Sequence, residues 1–301
     1  MVKLFDANLQ KEFRAPRLSS SYCFCCFIFL AAAVLPFLLA FSTDGFWRKR
    51  AEYEEQPEVT YRKEIIIQAY DSAGQAFTYS SMGDVNDLLF NTQAAMTVQS
   101  AARDNNFDGK ADLFDFNVTL MTSPSALRNV KAFVFFDYAL RERVRSDIFS
   151  MAYLDVDTPQ GASFIYADGE LQLRQKRLMR PTSRVRSSFN TTAFATESAG
   201  DLVLPVLLQR YTERNETTEY VYEAPVVMPG GKTASSQLNF KVRVPLAQTV
   251  LYRPGFLEIM KFAWIQYLSL LVPISYLLWL LASFIYTNQI LESTVCYTES
   301  R

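Results

Sequence analysis

The chain has 301 residues, of which 50% are apolar and 20% are charged, and its formal net charge is −1. Such a balanced charge provides no continuous cationic surface for following a phosphate backbone, so nucleic acid is not an expected partner. The chain contains no histidine, which excludes histidine-based catalytic triads and histidine zinc sites.

The first predicted element after a leader at residues 1–21 is a membrane helix. Residues 22–41 contain no charged side chain and are long enough to cross a hydrocarbon core of about 30 Å. A cleaved signal peptide is the alternative, because small residues at Ala40 and Ser42 offer a cleavage site. The length of the apolar run and of the leader favours a retained transmembrane helix.

The segment 42–261 carries mostly period-two alternation of apolar and polar residues, which predicts a mainly β, sandwich-like domain. The clearest predicted strands are 59–70, 113–121, 130–140 and 236–244. Residues 163–175 predict a hairpin closed by Asp168 and Gly169, a pair that suits a tight turn. Residues 202–210 predict a short helix.

Residues 104–112 read D-N-N-F-D-G-K-A-D and match the opening of a calcium-binding loop. In such loops side-chain oxygens at alternate positions converge on the cation, and Gly109 stands where the chain turns sharply. A strand is predicted directly afterwards, so we predict a Ca²⁺ loop between strands and not a helix-loop-helix hand. The candidate ligands are Asp104, Asn106, Asp108, Asp112 and the backbone carbonyl of Lys110. A turn rich in Asp and Asn without any metal is the alternative.

Three sequences in the same segment match the N-glycosylation acceptor pattern, at Asn117, Asn190 and Asn215. They favour a position of residues 42–261 outside the cytosol. Lysines and arginines do not orient the chain, because similar numbers flank both ends of the first apolar run. The sequons therefore predict an extracellular domain and cytosolic termini.

A second charge-free run at residues 262–286 predicts a second transmembrane helix, followed by a cytosolic tail at 287–301. A buried core helix is the alternative for each run, but two charge-free runs of this length argue against it. The predicted membrane anchors are aromatic residues near the ends of the runs, where rings favour the headgroup region. They are Trp47, Trp264 and Tyr267.

No catalytic motif is present in the sequence: neither a G-x-S-x-G nucleophile elbow nor a G-x-x-x-x-G-K-[ST] phosphate loop occurs. The chain is therefore predicted not to be an enzyme. Some ligand-gated and acid-sensing channel subunits also place a large ectodomain between two helices, so a channel or receptor-type subunit with a ligand-binding ectodomain is the alternative. The second apolar run carries no charge that would mark an ion path.

Seven short segments carry a family resemblance. They are G-F-W at 45–47, Y-E-E-Q-P at 53–57, the 104–112 loop, D-G-E-L-Q-L at 168–173, E-R-N at 213–215, Y-R-P-G-F at 252–256 and K-F-A-W at 261–264. In this order and spacing they resemble the transmembrane protein 231 family of two-pass membrane proteins. The resemblance covers residues 41–267, whereas the leader and tail match poorly.

The resemblance implies a scaffold of the ciliary transition zone that belongs to the Meckel syndrome or tectonic-like complex. That complex contributes to the diffusion barrier controlling ciliary membrane protein composition, and to cilium assembly and Hedgehog-type signalling. The implied partners are tectonics, B9-domain proteins and other transition-zone membrane proteins, together with the lipid bilayer. The implied location is the ciliary membrane, with both termini in the cytosol.

Overall fold

The computed structural model describes residues 9–16, 19–43, 47–88, 94–121, 123, 126–182, 184–189, 204–230 and 235–299. Two compact units are present. One is Arg50–Arg253, and the other combines Met1–Lys49 with Pro254–Arg301. The first is built of strands, and the second contains two long helices.

The elements are numbered in chain order. The helices are α1 (Ser20–Ser42), α2 (Gly83–Leu88), α3 (Leu204–Glu213) and α4 (Phe256–Thr287). The strands are β1 (Leu9–Arg14), β2 (Ala51–Glu55), β3 (Glu58–Asp71), β4 (Ala76–Ser80), β5 (Met96–Arg103), β6 (Leu113–Leu120), β7 (Leu127–Leu140), β8 (Ser146–Asp157), β9 (Phe164–Gln175), β10 (Arg186–Phe189), β11 (Glu216–Tyr222), β12 (Val226–Met228), β13 (Ser236–Arg243), β14 (Gln248–Tyr252) and β15 (Thr294–Glu299).

The helical unit is an antiparallel pair of α1 and α4. Both are strongly apolar, and their lengths of 23 and 32 residues are sufficient to span a membrane. The predicted spans 22–41 and 262–286 lie inside these helices. Helix α4 begins earlier, at Phe256, because Glu258 and Lys261 end the apolar run without ending the helix. The prediction of two transmembrane helices flanking a β domain is confirmed.

Strands β1 and β15 form a two-stranded antiparallel ribbon in the helical unit. Its register runs from Leu9 opposite Glu299 to Arg14 opposite Thr294, and the Thr294 hydroxyl donates to the Arg14 carbonyl at 2.8 Å. The ribbon therefore joins segments from the predicted leader and tail. The sequence analysis predicted no strand in either segment, because each strand's partner is almost the whole chain away.

The strand unit is a sandwich of two main sheets. The first sheet has the strand order β10-β8-β7-β3-β4, and the second has β11-β9-β13-β6-β5, with β12 beside β9. A separate pair, β2 and β14, completes the unit. The predicted sandwich is confirmed, but it is mixed and not purely antiparallel, since β13 runs parallel to β9 and β10 runs parallel to β8.

Aromatic side chains from both sheets form the centre of the core. Phe136 on β7 contacts Phe114 on β6 and Tyr61 on β3, with ring centroids 5.1 and 5.8 Å apart. Phe116 stacks on Phe240 of β13 at 4.8 Å. These residues sit at alternate positions of their strands, so the period-two pattern correctly identified the buried faces.

The outer face of the first sheet carries a second apolar cluster. Phe133, Phe135 and Phe149 pack there against Leu207 and Tyr211 of α3. Strands β7 and β8 are therefore buried on both faces, which explains the continuous apolar run along β7.

Most of the strongest sequence predictions within the sandwich are confirmed. The predicted strands 59–70, 113–121, 130–140 and 236–244 coincide with β3, β6, β7 and β13 to within three residues at each end. The predicted helix at 202–210 corresponds to α3, whose described part begins at Leu204. Residues 202 and 203 lie outside the described residues.

The predicted hairpin at 163–175 is wrong, because Phe164–Gln175 form the single strand β9. Gly169 pairs with Tyr222 on one side and with Val242 on the other. A Cβ atom at Gly169 would lie 2.5 Å from the carbonyl oxygen of Val221 and 2.7 Å from the Cβ of Tyr222. Glycine is needed here for the close approach of two strands and not for a turn.

Glu55 at the end of β2 is a buried carboxylate with an incomplete hydrogen-bond set. Its Oε2 accepts from the Glu142 N–H at 2.9 Å, whereas its buried Oε1 has no hydrogen-bond partner among the described residues. Burial raises the pKa of Glu55 above its usual value. Because the folded state then binds this proton more tightly than the unfolded state does, the protein loses stability as the pH rises through the pKa of folded Glu55.

Replacing Glu55 with Gln is therefore expected to stabilise the protein at neutral pH. An uncharged amide keeps an acceptor for the Glu142 N–H and removes a buried charge, so unfolding should shift upward by about 2–4 °C. The gain should shrink as the pH falls and wild-type Glu55 binds a proton. Thermal unfolding at neutral pH and in mild acid measures it, with exposed Glu54→Gln as the control. An equal gain at both pH values would contradict the assignment.

Candidate functional site

The turn joining β5 to β6, residues 104–112, brings all five candidate calcium ligands into one exposed loop. The Asp104 carboxylate accepts from the backbone N–H groups of Phe107 at 2.7 Å and Gly109 at 2.9 Å. Phe107 and Gly109 have φ angles of 59° and 85°, in the left-handed region. The predicted sharp turn at Gly109 is confirmed.

The tip of the turn is closed by Asp108 and Asn106. Asp108 Oδ1 accepts from the Lys110 N–H at 2.8 Å, and Asp108 Oδ2 accepts from Asn106 Nδ2 at 2.9 Å. Asn106 Oδ1 in turn accepts from the Asp108 N–H at 3.1 Å. The Lys110 N–H holds the pKa of Asp108 below its usual value.

The base of the turn is tied to the segment that follows β2. Asp112 Oδ2 accepts from the Asn105 N–H at 2.9 Å, and Asp112 Oδ1 accepts from Gln56 Nε2 at 3.0 Å. The Lys110 ammonium donates to the Gln56 carbonyl at 3.0 Å. The second half of the turn is thus held against the segment between β2 and β3.

These hydrogen bonds define how the turn can meet a cation. Each carboxylate of Asp104, Asp108 and Asp112 already accepts from the backbone of the turn, so a cation would bind through the lone pairs that these N–H groups leave open. Within the described residues, no group of three or more His, Cys, Asp or Glu side chains is placed to hold a metal. The Ca²⁺ site stays a prediction.

The Asp104→Ala variant separates the two interpretations of the turn. Losing the acceptor of two N–H groups is expected to destabilise the protein by about 1–2 kcal/mol with or without calcium. If the loop also binds Ca²⁺, millimolar Ca²⁺ will raise the unfolding temperature of the wild type and leave that of the variant unchanged. Differential scanning calorimetry with EDTA and with Ca²⁺ measures both effects, and equal Ca²⁺ responses of the two proteins would contradict a site at Asp104.

A groove of about 580 Å³ lies beside this turn, at the mouth of the sandwich between β5 and β3. The inward positions of β5 explain it. Met96 and Val98 pack against the core, but the next inward positions hold Ser100 and Ala102. Small side chains therefore leave the end of the sandwich open opposite Phe114.

A bulge in β3 forms the opposite rim of the groove. Tyr61 pairs with Phe136 and Ile65 pairs with Val134, so three residues of β3 lie opposite one residue of β7. Lys63 within it has a φ of 63°, and the Ser81 hydroxyl donates to its carbonyl at 2.9 Å. Bulges of this kind are frequent beside functional sites.

The predicted glycosylation sites differ in their surroundings. Asn117 lies on β6 with an exposed side chain, whose Oδ1 accepts from Asn239 Nδ2. Asn215 is half-buried between α3 and β11. Asn190 lies outside the described residues. The structure thus presents Asn117 to solvent, and occupancy of all three sites stays a prediction.

The three predicted membrane anchors lie close together, in the half of the helix pair that contains Ser42 and Phe256. Trp264 contacts Tyr267 edge to face at 6.1 Å, and the Tyr267 hydroxyl donates to the Ala33 carbonyl at 3.3 Å. With Trp47 they line an apolar cavity of about 470 Å³. Trp and Tyr rings favour the interface between headgroups and hydrocarbon. Their role as anchors stays a prediction.

Comparison with known proteins gives consistent matches over almost the whole chain. The family model described as Transmembrane protein 231 matches residues 1–295. Transmembrane protein 231 of Gallus gallus is 30% identical over 299 residues, which cover 97% of this chain and 93% of the relative. The proteins of the same name from Homo sapiens and Mus musculus are also 30% identical, over 97% of this chain and 94% of each relative.

No solved structure matches this chain. The family match covers both the helical unit and the sandwich, and it includes the leader that the short segments alone did not reach. On this basis, the chain belongs to the transmembrane protein 231 family.

Proposed function

We propose that this chain is a non-enzymatic structural component of a membrane complex at the ciliary transition zone. The observation that carries the proposal is membership of the transmembrane protein 231 family over residues 1–295. In this role it contributes to the diffusion barrier that controls ciliary membrane protein composition, and to cilium assembly. Hedgehog-type signalling depends on the same barrier where that pathway is present.

The connection of the sandwich to its helices supports a scaffold. Helix α1 ends at Ser42 and β2 begins at Ala51, while β14 ends at Tyr252 and α4 begins at Phe256. Both ends of the domain are therefore tethered to the membrane through short connections. Two short tethers restrict tumbling more than one does, so less entropy is lost when the domain docks on a neighbour.

The proposed orientation places the sandwich outside the cytosol and both termini inside it. The exposed Asn117 side chain supports this orientation, because an occupied sequon requires passage through the secretory pathway. The proposed partners are tectonics, B9-domain proteins and other Meckel syndrome complex members, with the lipid bilayer. Nucleic acid is not among them.

The orientation has a direct test in glycosidase sensitivity. We expect Asn117→Gln to remove one glycan from protein made in animal cells, visible as a step in electrophoretic mobility. Enzymatic deglycosylation should abolish the difference between variant and wild type. Asn239→Gln, at a half-buried asparagine outside any sequon, is the control. Insensitivity of the wild type to deglycosylation would contradict an extracellular domain.

The barrier role is tested in ciliated cells from which the endogenous protein has been depleted. A tagged chain is expected to localise between the basal body and the axoneme, and its loss to change the membrane proteins found in the cilium. Re-expression of the wild-type chain should restore them. Normal ciliary composition after complete depletion would overturn the proposal, and ionic currents from reconstituted protein would favour a channel subunit instead.

A further inference from the structure

The outer edge of β5 is a row of backbone groups with no partner among the described residues. Within the part of the chain that the structure describes, β5 pairs only with β6. In an antiparallel ladder, every second residue of a strand exchanges backbone hydrogen bonds with a given neighbour. The Ala95 carbonyl accepts from the Met121 N–H, which continues the β5–β6 ladder. The Asp112 carbonyl accepts from the Val244 N–H, so the even-numbered positions of the β6 segment bond to β13. Odd-numbered residues of β5 therefore bond to β6.

The even-numbered residues of β5 consequently direct their N–H and C=O groups toward the free edge. These residues are Met96, Val98, Ser100 and Ala102. The same four residues occupy the inward side-chain positions beside the groove. One strand thus combines an open hydrogen-bonding edge with an opening into the core.

This edge lacks the features by which sheets avoid pairing with other chains. Strand β5 has eight residues, no proline and one charged residue, Arg103, whose guanidinium is paired with Asp115 at 2.8 Å. The edge strand β4 of the first sheet differs. Its Ser80 N–H donates to Asn86 Oδ1, and its Thr78 carbonyl accepts from the Ala94 N–H.

When a second copy of β5 runs antiparallel to the first, the large inward side chains of each copy lie opposite small side chains of the other. We propose that two copies of this chain pair edge to edge through β5, antiparallel, about a two-fold axis at Gln99. In this register Val98 lies opposite Ser100 of the second copy, and Met96 lies opposite its Ala102. Each large inward side chain then meets a small one, so Met96 of each copy reaches the open groove of the other.

The outer face of the paired strands is also compatible with this register. Gln99 lies opposite Gln99 of the second copy, where two amides can bond to each other. The two Arg103 side chains lie at opposite ends of the paired strands, so no like charges face one another. Such an interface is isologous and closes as a dimer. The inference goes beyond the proposed transition-zone role and does not depend on it.

Disulfide trapping tests the register with the full chain in nanodiscs. The native cysteines at 23, 25, 26 and 296 are first changed to serine, which leaves none. Gln99 forms a non-bonded pair across the axis, where Cα atoms lie about 4.5 Å apart, a distance that suits a disulfide. Gln99→Cys is expected to form covalent dimers under mild oxidation at least about tenfold faster than Thr97→Cys.

The Thr97→Cys variant is the matched control because it lies on the same face, one pleat away. Its two copies would be about 14 Å apart in this register, since four residues separate them along the strand. Thr97→Cys mixed with Ala101→Cys should instead cross-link as a heterodimer. Equal rates for Gln99→Cys and Thr97→Cys would overturn the proposal.

Charge reversal provides a second measurement that does not depend on cross-linking or on a perturbed backbone. Gln99→Lys places like charges opposite each other on the exposed face, so the dimer seen by light scattering should be lost at low salt. Mixing Gln99→Lys with Gln99→Glu should restore it.

Ser100→Pro is a third test, because proline removes an outward N–H while the bonds to β6 are retained. This variant should also give monomers. A monomeric wild type, or a dimer that survives these changes, would overturn the proposal.

Discussion

Gly169→Ala is expected to destabilise the sandwich by about 3 kcal/mol, because the added methyl group has no space and its neighbours cannot move away. The new Cβ atom would lie 2.5 Å from the Val221 carbonyl oxygen. The adjacent tyrosines are held by their hydroxyls, since Tyr220 donates to the Lys241 carbonyl at 2.7 Å and Tyr222 donates to the Asp155 carbonyl at 2.9 Å. The strands β9 and β11 would have to separate.

Chemical denaturation of the purified protein measures this loss, and Gly83→Ala is its control. Gly83 at the start of α2 has no atom within 4 Å of its would-be Cβ, and its φ is not positive. Alanine there should leave stability unchanged or raise it by less than about 1 kcal/mol. If Gly169→Ala unfolded at the same denaturant concentration as the wild type, the close approach of the strands would be contradicted.

Phe136→Ala is expected to cost about 3–5 kcal/mol, the largest loss from any single truncation considered. The Phe136 side chain is 0% exposed and its ring contacts Tyr61, Phe114 and Phe116 from both sheets. Removing it opens a cavity where the sheets meet, and rigid neighbours on two sheets cannot both collapse into it. The unfolding temperature should fall by about 10 °C for a unit of this size.

The control is Phe107→Ala, the same substitution at a phenylalanine that is 90% exposed. Its effect on stability should stay within about 0.5 kcal/mol. Calorimetry of both variants gives the difference directly. A loss below about 1 kcal/mol for Phe136→Ala would indicate that the two sheets do not share this core.

The sequence predicted those parts of the fold in which a local pattern coincides with a buried face. From Phe114 to Leu120, strand β6 alternates apolar and polar residues, and its apolar even-numbered residues are all buried. Strand β5 was not predicted, because Gln, Ser and Ala carry little strand preference and its place is set by pairing with β6. The Asp168-Gly169 pair was misread, since the same dipeptide serves turns and close strand contacts.

The sequence predicted the turn of the candidate site but not the groove beside it. The sharp turn at residues 104–112 could be predicted from Gly109 and from the Asp and Asn side chains, because turn preference is a local property of the sequence. The groove depends on two distant features, the small Ser100 and Ala102 of β5 and the bulge at Lys63 of β3. Their proximity arises from tertiary structure, and no spacing within the sequence encodes it.

The β1–β15 ribbon has a consequence for how the membrane helices stay together. Lipid gives no hydrophobic driving force for association, and the described contacts between the helices include single hydrogen bonds such as that from the Tyr286 hydroxyl to the Ser21 carbonyl. The ribbon joins the chain segments that lie beyond Ser20 and Thr287, and residues 43–255 connect the other ends of the two helices. Their effective concentration is thus on the order of millimolar or higher, so even weak contacts keep them paired.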